Sequence, residues 1–587
     1  MFQVFKQLAW FFKGYWKRYT VAIIALIIAS AIGLIPPKLV GYIIDEIRFD
    51  RLTMNIVALV VIGYLLLTWL HYVISYLWDY TLFTGSVMLE KSIRSKLIKK
   101  FLKMPPTFFE RYRTGDLMAR STNDLKAISL MAGFGILTLV DSTTFMLMII
   151  AMMGFTISWE LTLAALIPLP FMAVLMNYYG AAIHVRFSKA QAAFSELNNS
   201  VLESIRGVRV IRAFVQEEQD QQQFEAMTNL VYDKNMAVVK IDALFEPTMK
   251  ILVGLSYTIG LGYGAFLVFE NKLTLGDLVT FNVYLGMLIW PMFAIGELIN
   301  LLQRGNASID RVYEVLEYKE TTDLNSPRIK VPTVLSIDFK EVTFRYPSAS
   351  TNQLRHLSLH IKKGQTIGIV GKTGGGKTTL FKLLLGEYSQ MFGEIRISNV
   401  PINQIGLEQI RTWIGYVPQD QFLFSKTIRE NIQFGKEAAT DKEIYRVLDL
   451  ACFLDDMKQL PQGLDTQVGE SGVTLSGGQK QRVALARAFM KEPEILMMDD
   501  SLSAVDGKTE MKIMKQLRKE RADKTTLIAA HRLSAVKHAD HIVVIDEGII
   551  VEEGTHEQLL QLNGWYQEQN MRQQSSGRGG LMNEDLY

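Results

Sequence analysis

Residues 367–385 read IGIVGKTGGGKTTLFKLLL. The apolar run Ile367–Val370 stops at a glycine and reads as a buried strand, and a helix pattern follows. Between them Gly371, Lys372, Thr373, Gly374, Gly375, Gly376, Lys377 and Thr378 match G-x-x-x-x-G-K-[ST]. Glycines at this spacing let backbone N–H groups turn inward around the phosphates of a nucleotide, at the N-terminus of the helix. Lys377 reaches the β and γ phosphates, and Thr378 offers its hydroxyl to Mg²⁺. Thr379 completes the expected nucleotide-binding run. Strand, loop and helix in this order predict an α/β fold around a mostly parallel sheet.

A second buried strand is legible in ILMMDDSLSAVD, residues 495–506. Four apolar residues run straight into Asp499 and Asp500. Next to a phosphate-binding loop, the first acid is placed to hold Mg²⁺ through water. The second is placed to polarise the attacking water.

The remaining composition is divided. The chain has 587 residues, 49% of them hydrophobic, and a mean hydropathy of +0.15, with the excess in the first 300 residues. Six stretches, near 20–45, 55–82, 128–156, 161–180, 245–269 and 275–301, are long and apolar enough to cross a bilayer. RFDRLT, SWE and ENK join them in pairs; the other connections, 89–126 and roughly 181–244, are long, charged and helix-like. At 1.5 Å per residue, about 25 helical residues beyond the bilayer reach roughly 37 Å, a lever able to carry motion from a soluble engine. TGDLMARSTND (114–124) and RGVRVIRAFVQEE (206–218) are expected at the lever tips as short helices that dock on the soluble part. The N-terminal stretch, with Lys6, Lys13, Lys17 and Arg18 interleaved with Trp10 and Trp16, reads as an amphipathic helix on the cytoplasmic membrane surface rather than a signal peptide. A net charge of +3 gives no reason to expect a nucleic-acid partner, and the single cysteine, Cys452, excludes a disulfide within the chain. Asp141 and Glu297 are the clearest charges inside the spans and are candidate substrate-cavity residues.

Further motifs follow in a fixed order: Tyr346 in VTFRYP, Gln419 in YVPQDQFLF, TQVGES at 466–471, LSGGQ from Leu475 through Ser476, Gly477 and Gly478 to Gln479, SAVD at 503–506, and His531 in IAAHRLS. With these the chain resembles an ATP-binding cassette exporter half-transporter over residues 1 to about 570. The resemblance implies an elbow helix (1–18), an all-α six-helix transmembrane domain of the type IV exporter kind (19–316), a linker (317–333), an α/β nucleotide-binding domain (334–570) and a polar tail (571–587) whose end, SSGRGGLMNEDLY, reads as disordered. It implies ATP and Mg²⁺ as cofactors, with Tyr346 stacking on adenine and Gln419 serving the metal and the catalytic water. Within the same resemblance His531 is the switch histidine, and 466–471 is the loop that contacts the coupling helices. It also implies that two such domains close head to tail, each ATP lying between one P-loop and the LSGGQ of the other. Hydrolysis coupled to transport then requires a partner domain.

Where the family has Glu, this chain has Asp500. One methylene fewer withdraws the carboxylate by about 1.5 Å, and a misplacement of about 1 Å can cost roughly 10²-fold in rate. Members with one weakened site are typically heterodimers whose partner keeps the Glu. The expected function is one subunit of a heterodimeric exporter of amphipathic drugs, working by alternating access in the plasma membrane, with the lipid bilayer and a small amphipathic substrate as further partners. A lipid or lipid-linked flippase and an ATP-gated channel or regulator are the alternative readings.

The connection 89–126 carries about ten Lys and Arg, which places it and both termini in the cytoplasm. An impermeant thiol reagent applied to intact cells should therefore label a cysteine introduced at position 50 and leave one at position 113 unlabelled; the reverse pattern would refute the topology.

Overall fold

The computed structural model describes residues 3–318, 329–347, 349–388, 392–469 and 475–581. The chain divides into two compact units: residues 1–102 with 114–318, and residues 103–113 with 319–587.

The first unit is helical. Its six long apolar helical segments are Trp16–Arg48, Met54–Phe101, Thr114–Thr156, Trp159–Ala213, Glu217–Phe269 and Leu275–Leu316, and each contains one of the stretches read from hydropathy. The helix Glu217–Phe269 has 53 residues, about 80 Å at 1.5 Å per residue against a hydrocarbon core of about 30 Å, so most of its length lies outside the bilayer. The first span is interrupted at Leu34, before Pro36 and Pro37. Prolines remove ladder donors there, and side chains of the sixth span engage nearby carbonyls. The buried Tyr284 hydroxyl donates to the Leu34 carbonyl at 2.6 Å, and Thr280 Oγ1 donates to that of Pro37 at 3.2 Å. Farther along the same seam two glycines meet. A Cβ on Gly276 would lie 2.0 Å from the Gly41 carbonyl oxygen, and one on Gly41 would lie 2.1 Å from Thr280 Oγ1. Asp45 Oδ1 accepts the Gly276 N–H at 2.7 Å. The third span carries two π-helical turns, Met131–Gly135 and Asp141–Phe145.

One expectation about the first unit changes, and one gains detail. The N-terminal stretch forms the short helices Gln3–Gln7 and Ala9–Gly14 and packs apolar side chains within the unit: Val4, Leu8 and Phe11 are buried. The Val4 N–H donates to Asn306 Oδ1 at 3.0 Å, Gln7 Nε2 to Asp310 Oδ1 at 3.0 Å and Trp10 Nε1 to Tyr313 Oη at 2.8 Å, while Lys6, Lys13 and Lys17 stay exposed. Residues 114–124 form the helix Thr114–Ser121 and the start of Asn123–Leu130 inside this unit. Arg120 is buried there against Asp116 (2.8 Å) and Glu314 (2.9 Å). The segment that joins the second unit is residues 103–113 instead. Its cause is local. Pro105 and Pro106 follow the helix ending at Phe101, and Pro106 opens a new short helix, Pro106–Arg111. Residues 206–218 are the tip of a helical hairpin in the first unit, with Phe214 and Val215 exposed.

The second unit holds ten strands among its described residues: β1 (Ser336–Phe344), β2 (Leu354–Lys362), β3 (Thr366–Val370), β4 (Phe392–Ile397), β5 (Val400–Pro401), β6 (Ile414–Val417), β7 (Ile495–Asp499), β8 (Thr525–Ala529), β9 (His541–Asp546) and β10 (Ile549–Gly554). A four-stranded antiparallel sheet has the order β2-β1-β4-β5, and a six-stranded sheet the order β10-β9-β3-β8-β7-β6, parallel from β9 to β6. Alternation along β7 divides its side chains between two cores. Ile495 and Met497 join the core shared with the small sheet, and Leu496 and Met498 join the helical core on the other face. The last helix runs Trp565–Leu581, so the division at 570 falls inside a helix and the first part of the tail is ordered, while 582–587 and most of the 317–333 linker lie outside the described residues.

The seam between the first and sixth spans yields a stability prediction. Gly276→Ala must push apart two backbones whose contact leaves no room for Cβ. It should destabilise the protein by about 1–3 kcal/mol, as overpacking does, and lower the thermal unfolding midpoint of the detergent-solubilised chain. Ala at Gly180, which meets nothing within 4 Å, is the control.

Candidate functional site: a phosphate loop at one edge of the parallel sheet

Register brings the motif residues of the second unit to one edge. β3 and β8 pair Ile369 with Ala529, β7 and β8 pair Asp499 with Ala529, and β6 and β7 pair Val417 with Met498. One or two residues past the end of each strand stand Gly371, Gln419, Asp500 and His531, with Asp499 closing β7. This is the carboxyl edge of a parallel sheet, where such folds bind ligands.

The loop after β3 is shaped by glycine. Gly371 has φ 143°, and a Cβ there would lie 1.9 Å from the Ile545 carbonyl oxygen. Gly376, at φ 111°, is the N-cap of the helix Lys377–Leu384. The Lys377 ammonium is buried and turned back on its own loop, donating to the carbonyls of Gly371 and Lys372 at 2.9 Å each. Burial lowers its pKa, opposed by Asp500 and Asp499. Lys372 pairs with Asp546 at 2.8 Å, while Thr373 and Gly374 are exposed at the loop tip.

Asp499 is buried. Its Oδ1 accepts from Thr378 Oγ1 at 3.1 Å and its Oδ2 from Tyr416 Oη at 3.3 Å. Burial pushes its carboxyl up, and the two hydroxyls oppose that shift. Among the described residues no group of three or more His, Cys, Asp and Glu side chains could hold a metal ion. The oxygen pair Thr378–Asp499 nevertheless fits Mg²⁺, a hard cation that usually takes only one or two protein carboxylates and completes its shell with phosphates and water.

Asp500 stands in the left-handed region at φ 44°, a conformation Asp tolerates better than most residues. Its N–H donates to the Ala529 carbonyl at 2.8 Å, and its Oδ1 accepts from the His531 N–H at 3.4 Å. The half-buried His531 ring has its pKa lowered first by burial and then by Lys377. Its carbonyl accepts from Gln573 Nε2 at 2.9 Å, and the Leu533 N–H donates to Gln573 Oε1 at 3.0 Å, so a tail residue clips the histidine loop. Gln419 is exposed just past β6. Tyr346 is half-buried after β1, and its hydroxyl hydrogen-bonds Thr379 Oγ1 at 3.0 Å.

The signature residues form a separate surface. Ser476 caps the helix Gly477–Met490 in a capping box with Gln479. Gln479 also donates to Asp456 at 2.9 Å. A Cβ on Gly478 would lie 2.7 Å from the Ala504 carbonyl oxygen, and Gln481 bonds Ser503 (3.2 Å) and the Ala504 N–H (3.0 Å), so the signature helix and the 503–506 loop are locked together. Leu475 is buried, whereas Ser476 and Gly477 are exposed. Among the described residues no hydrogen bond joins 475–479 to 371–379. Thr466–Gly469 pack beside Lys426–Ile428; Glu470 and Ser471 lie outside the described residues.

In the first unit, Asp141 and Glu297 separate by depth. Asp141 lies 15 residues from Thr156, about 22 Å from the short connection, inside a hydrocarbon core of about 30 Å. Its Oδ2 accepts from Trp290 Nε1 at 3.3 Å. Glu297 lies 22 residues past Leu275, about 33 Å from its own short connection and therefore at the opposite interface; its side chain is exposed.

Comparison with known proteins agrees with both units. The family described as ABC transporter transmembrane region matches residues 19–292, and the family described as ABC transporter matches residues 354–503. The chain is 57% identical to the probable multidrug resistance ABC transporter ATP-binding/permease protein YheI of Bacillus subtilis, over 98% of both chains. It is 40% identical to the multidrug resistance-like ATP-binding protein MdlA of Escherichia coli, over 97% of both. A solved bacterial Atm1-family ABC exporter with ATP bound superposes with a TM-score of 0.78 at 26% identity, covering 95% of this chain and 99% of the other.

Proposed function

The chain belongs to the ABC transporter family, and from that membership we propose that it is one half of a heterodimeric exporter of amphipathic drugs whose own P-loop builds the weaker of two ATP sites. The family and fold make it an ABC exporter of the multidrug type, a multi-pass membrane protein with an ATPase domain coupled to transport. The proposal adds the asymmetry, the partner, the residue roles and a plasma-membrane location with cytoplasmic termini.

One observation carries the asymmetry. Everything needed to hold Mg²⁺·ATP is present in Lys377, Thr378 and Asp499, while the base position holds the short Asp500, whose carboxylate is engaged by the His531 N–H. In this reading Gly371–Thr379 cradle the phosphates, Tyr346 stacks on adenine, and Thr378, Asp499 and Gln419 would hold a Mg²⁺ ion, whose charge would offset that of the phosphates. Exposure of Ser476 and Gly477 at a helix N-terminus supports anion capture from a second chain. The signature therefore serves a different ATP from the one bound at this P-loop, and the partner supplies the other P-loop and a catalytic Glu.

Steady-state ATP hydrolysis in complex with wild-type partner is the test. Asp500→Asn should change turnover less than twofold, because that site is already slow. Ser476→Arg or Gly477→Asp should remove most activity by blocking γ-phosphate capture at the competent site, a loss of about 10²-fold or more for such electrostatic stabilisation. Lys377→Ala should fall between them. Loss of activity in Asp500→Asn as deep as in the signature variants would make the Asp a working base and the asymmetric reading wrong.

Asp141, held by Trp290 inside the bilayer, is the better placed of the two acids to face a cationic drug. Asp141→Asn should weaken transport of cationic substrates several-fold more than neutral ones in vesicle uptake, and equal effects on both would assign it a structural role.

A further inference from the structure

The short helix Pro106–Arg111 belongs to the compact unit that carries the nucleotide residues, and one side chain joins the two. Tyr388, buried four residues past the P-loop helix, donates its hydroxyl to Glu110 Oε1 in a short hydrogen bond. Its ring meets that of Tyr346 edge-on, with centroids 5.1 Å apart and planes at 84°. Phe344 closes the cluster, 5.3 Å from Tyr388 and 5.0 Å from Tyr346. Tyr346 in turn bonds Thr379, the neighbour of Thr378. Burial and the adjacent Glu110 raise the Tyr388 pKa, so the phenol stays protonated and remains a donor at any physiological pH. Beside this contact lies a cleft of about 580 Å³, with Met104, Phe109 and Glu110 on one side and Glu387, Arg411 and Tyr416 on the other. Through Tyr416, which donates to Asp499, the same cleft borders the metal end of the site.

We propose that Tyr388 is a positioning residue that ties the segment 103–113 to the adenine platform, so that nucleotide occupancy at this chain's P-loop is read at Glu110. The proposal rests on the reading of Tyr346 as the adenine-stacking residue. A base stacked on Tyr346 restrains that ring; edge contact passes the restraint to Tyr388; the hydroxyl passes it to the carboxylate on Pro106–Arg111. A rigid aromatic ring has two torsions to fix, and a charge-assisted hydrogen bond at its tip resists displacement. This route needs no hydrolysis, so it serves a site that binds ATP and turns it over slowly.

Hydrogen–deuterium exchange of the full chain with its partner in lipid nanodiscs, with and without a non-hydrolysable ATP analogue, tests the inference. In wild type the analogue should slow exchange at least threefold both at 371–379 and at 103–113. Tyr388→Phe and Glu110→Leu should keep the protection at 371–379 and lose it at 103–113, whereas Glu110→Gln, which retains an acceptor, should keep both. Protection of 103–113 that persists in Tyr388→Phe, or that is absent in wild type, overturns the proposal. So does loss of protection at 371–379 in Tyr388→Phe, which would make Tyr388 part of the nucleotide site itself. Tyr346→Ala separates the underlying reading: unchanged analogue affinity there refutes adenine stacking, whatever segment 103–113 does.

Discussion

A parallel strand covered on both faces can carry polar side chains only where it ends. β7 meets that condition throughout: all five of its residues are buried, and alternate side chains enter two different cores. The two acids can therefore stand only at the strand's last position and just beyond it. Because β3, β6, β7 and β8 run the same way in near register, the residues past their ends converge without any long-range device. The phosphate loop, Gln419, the acids and His531 are neighbours through sheet register. The site is thus as rigid as the strands beneath it, and its variable part is the side chain at each position, of which Asp500 is the telling case. Position 500 needs a left-handed backbone, which Asp adopts at little cost, so a shorter acid there leaves the fold undisturbed.

What was legible in the sequence is what local chemistry dictates. Six long apolar runs, the strand–loop–helix around Lys377 and the strand that ends in Asp499 each show their cause within about 20 residues. Docking was less legible. Residues 114–124 read as a charged helix suited to contact another domain, yet the contact segment is 103–113, because Pro105 and Pro106 end one helix and start another before Thr114 is reached. The prolines were visible, but which flanking helix would pack into which unit depends on Arg120, and its partner Glu314 is 194 residues away.

Partners of site residues were the other gap. Tyr416 lies three residues before Gln419 and reads as an ordinary strand residue until register places it beside Asp499. Gln573 sits in the polar tail, two residues before the stretch that reads as disordered, and it bonds the main chain on both sides of Arg532. Composition describes a segment's average, whereas one amide with a donor and an acceptor needs only a single docked turn. Tyr388 was silent for a related reason. Its contacts with Glu110 and Tyr346 both reach back before the P-loop helix, to Glu110 across 278 residues, and no spacing rule links them.

The seam between the first and sixth spans has a consequence for how the membrane part can change shape. Where Gly41 and Gly276 meet, backbone lies against backbone, and neither glycine carries a side chain to stretch, rotate or slide as the helices part. A seam of interdigitated leucines yields gradually, each rotamer covering part of the gap. Here parting the helices breaks the hydrogen bond from the Gly276 N–H to the Asp45 carboxylate, and Gly276, one residue into its span, lies at the interface where water can take over both groups. The seam is accordingly either shut and dry or open and wet, so its rupture and its hydration are a single event.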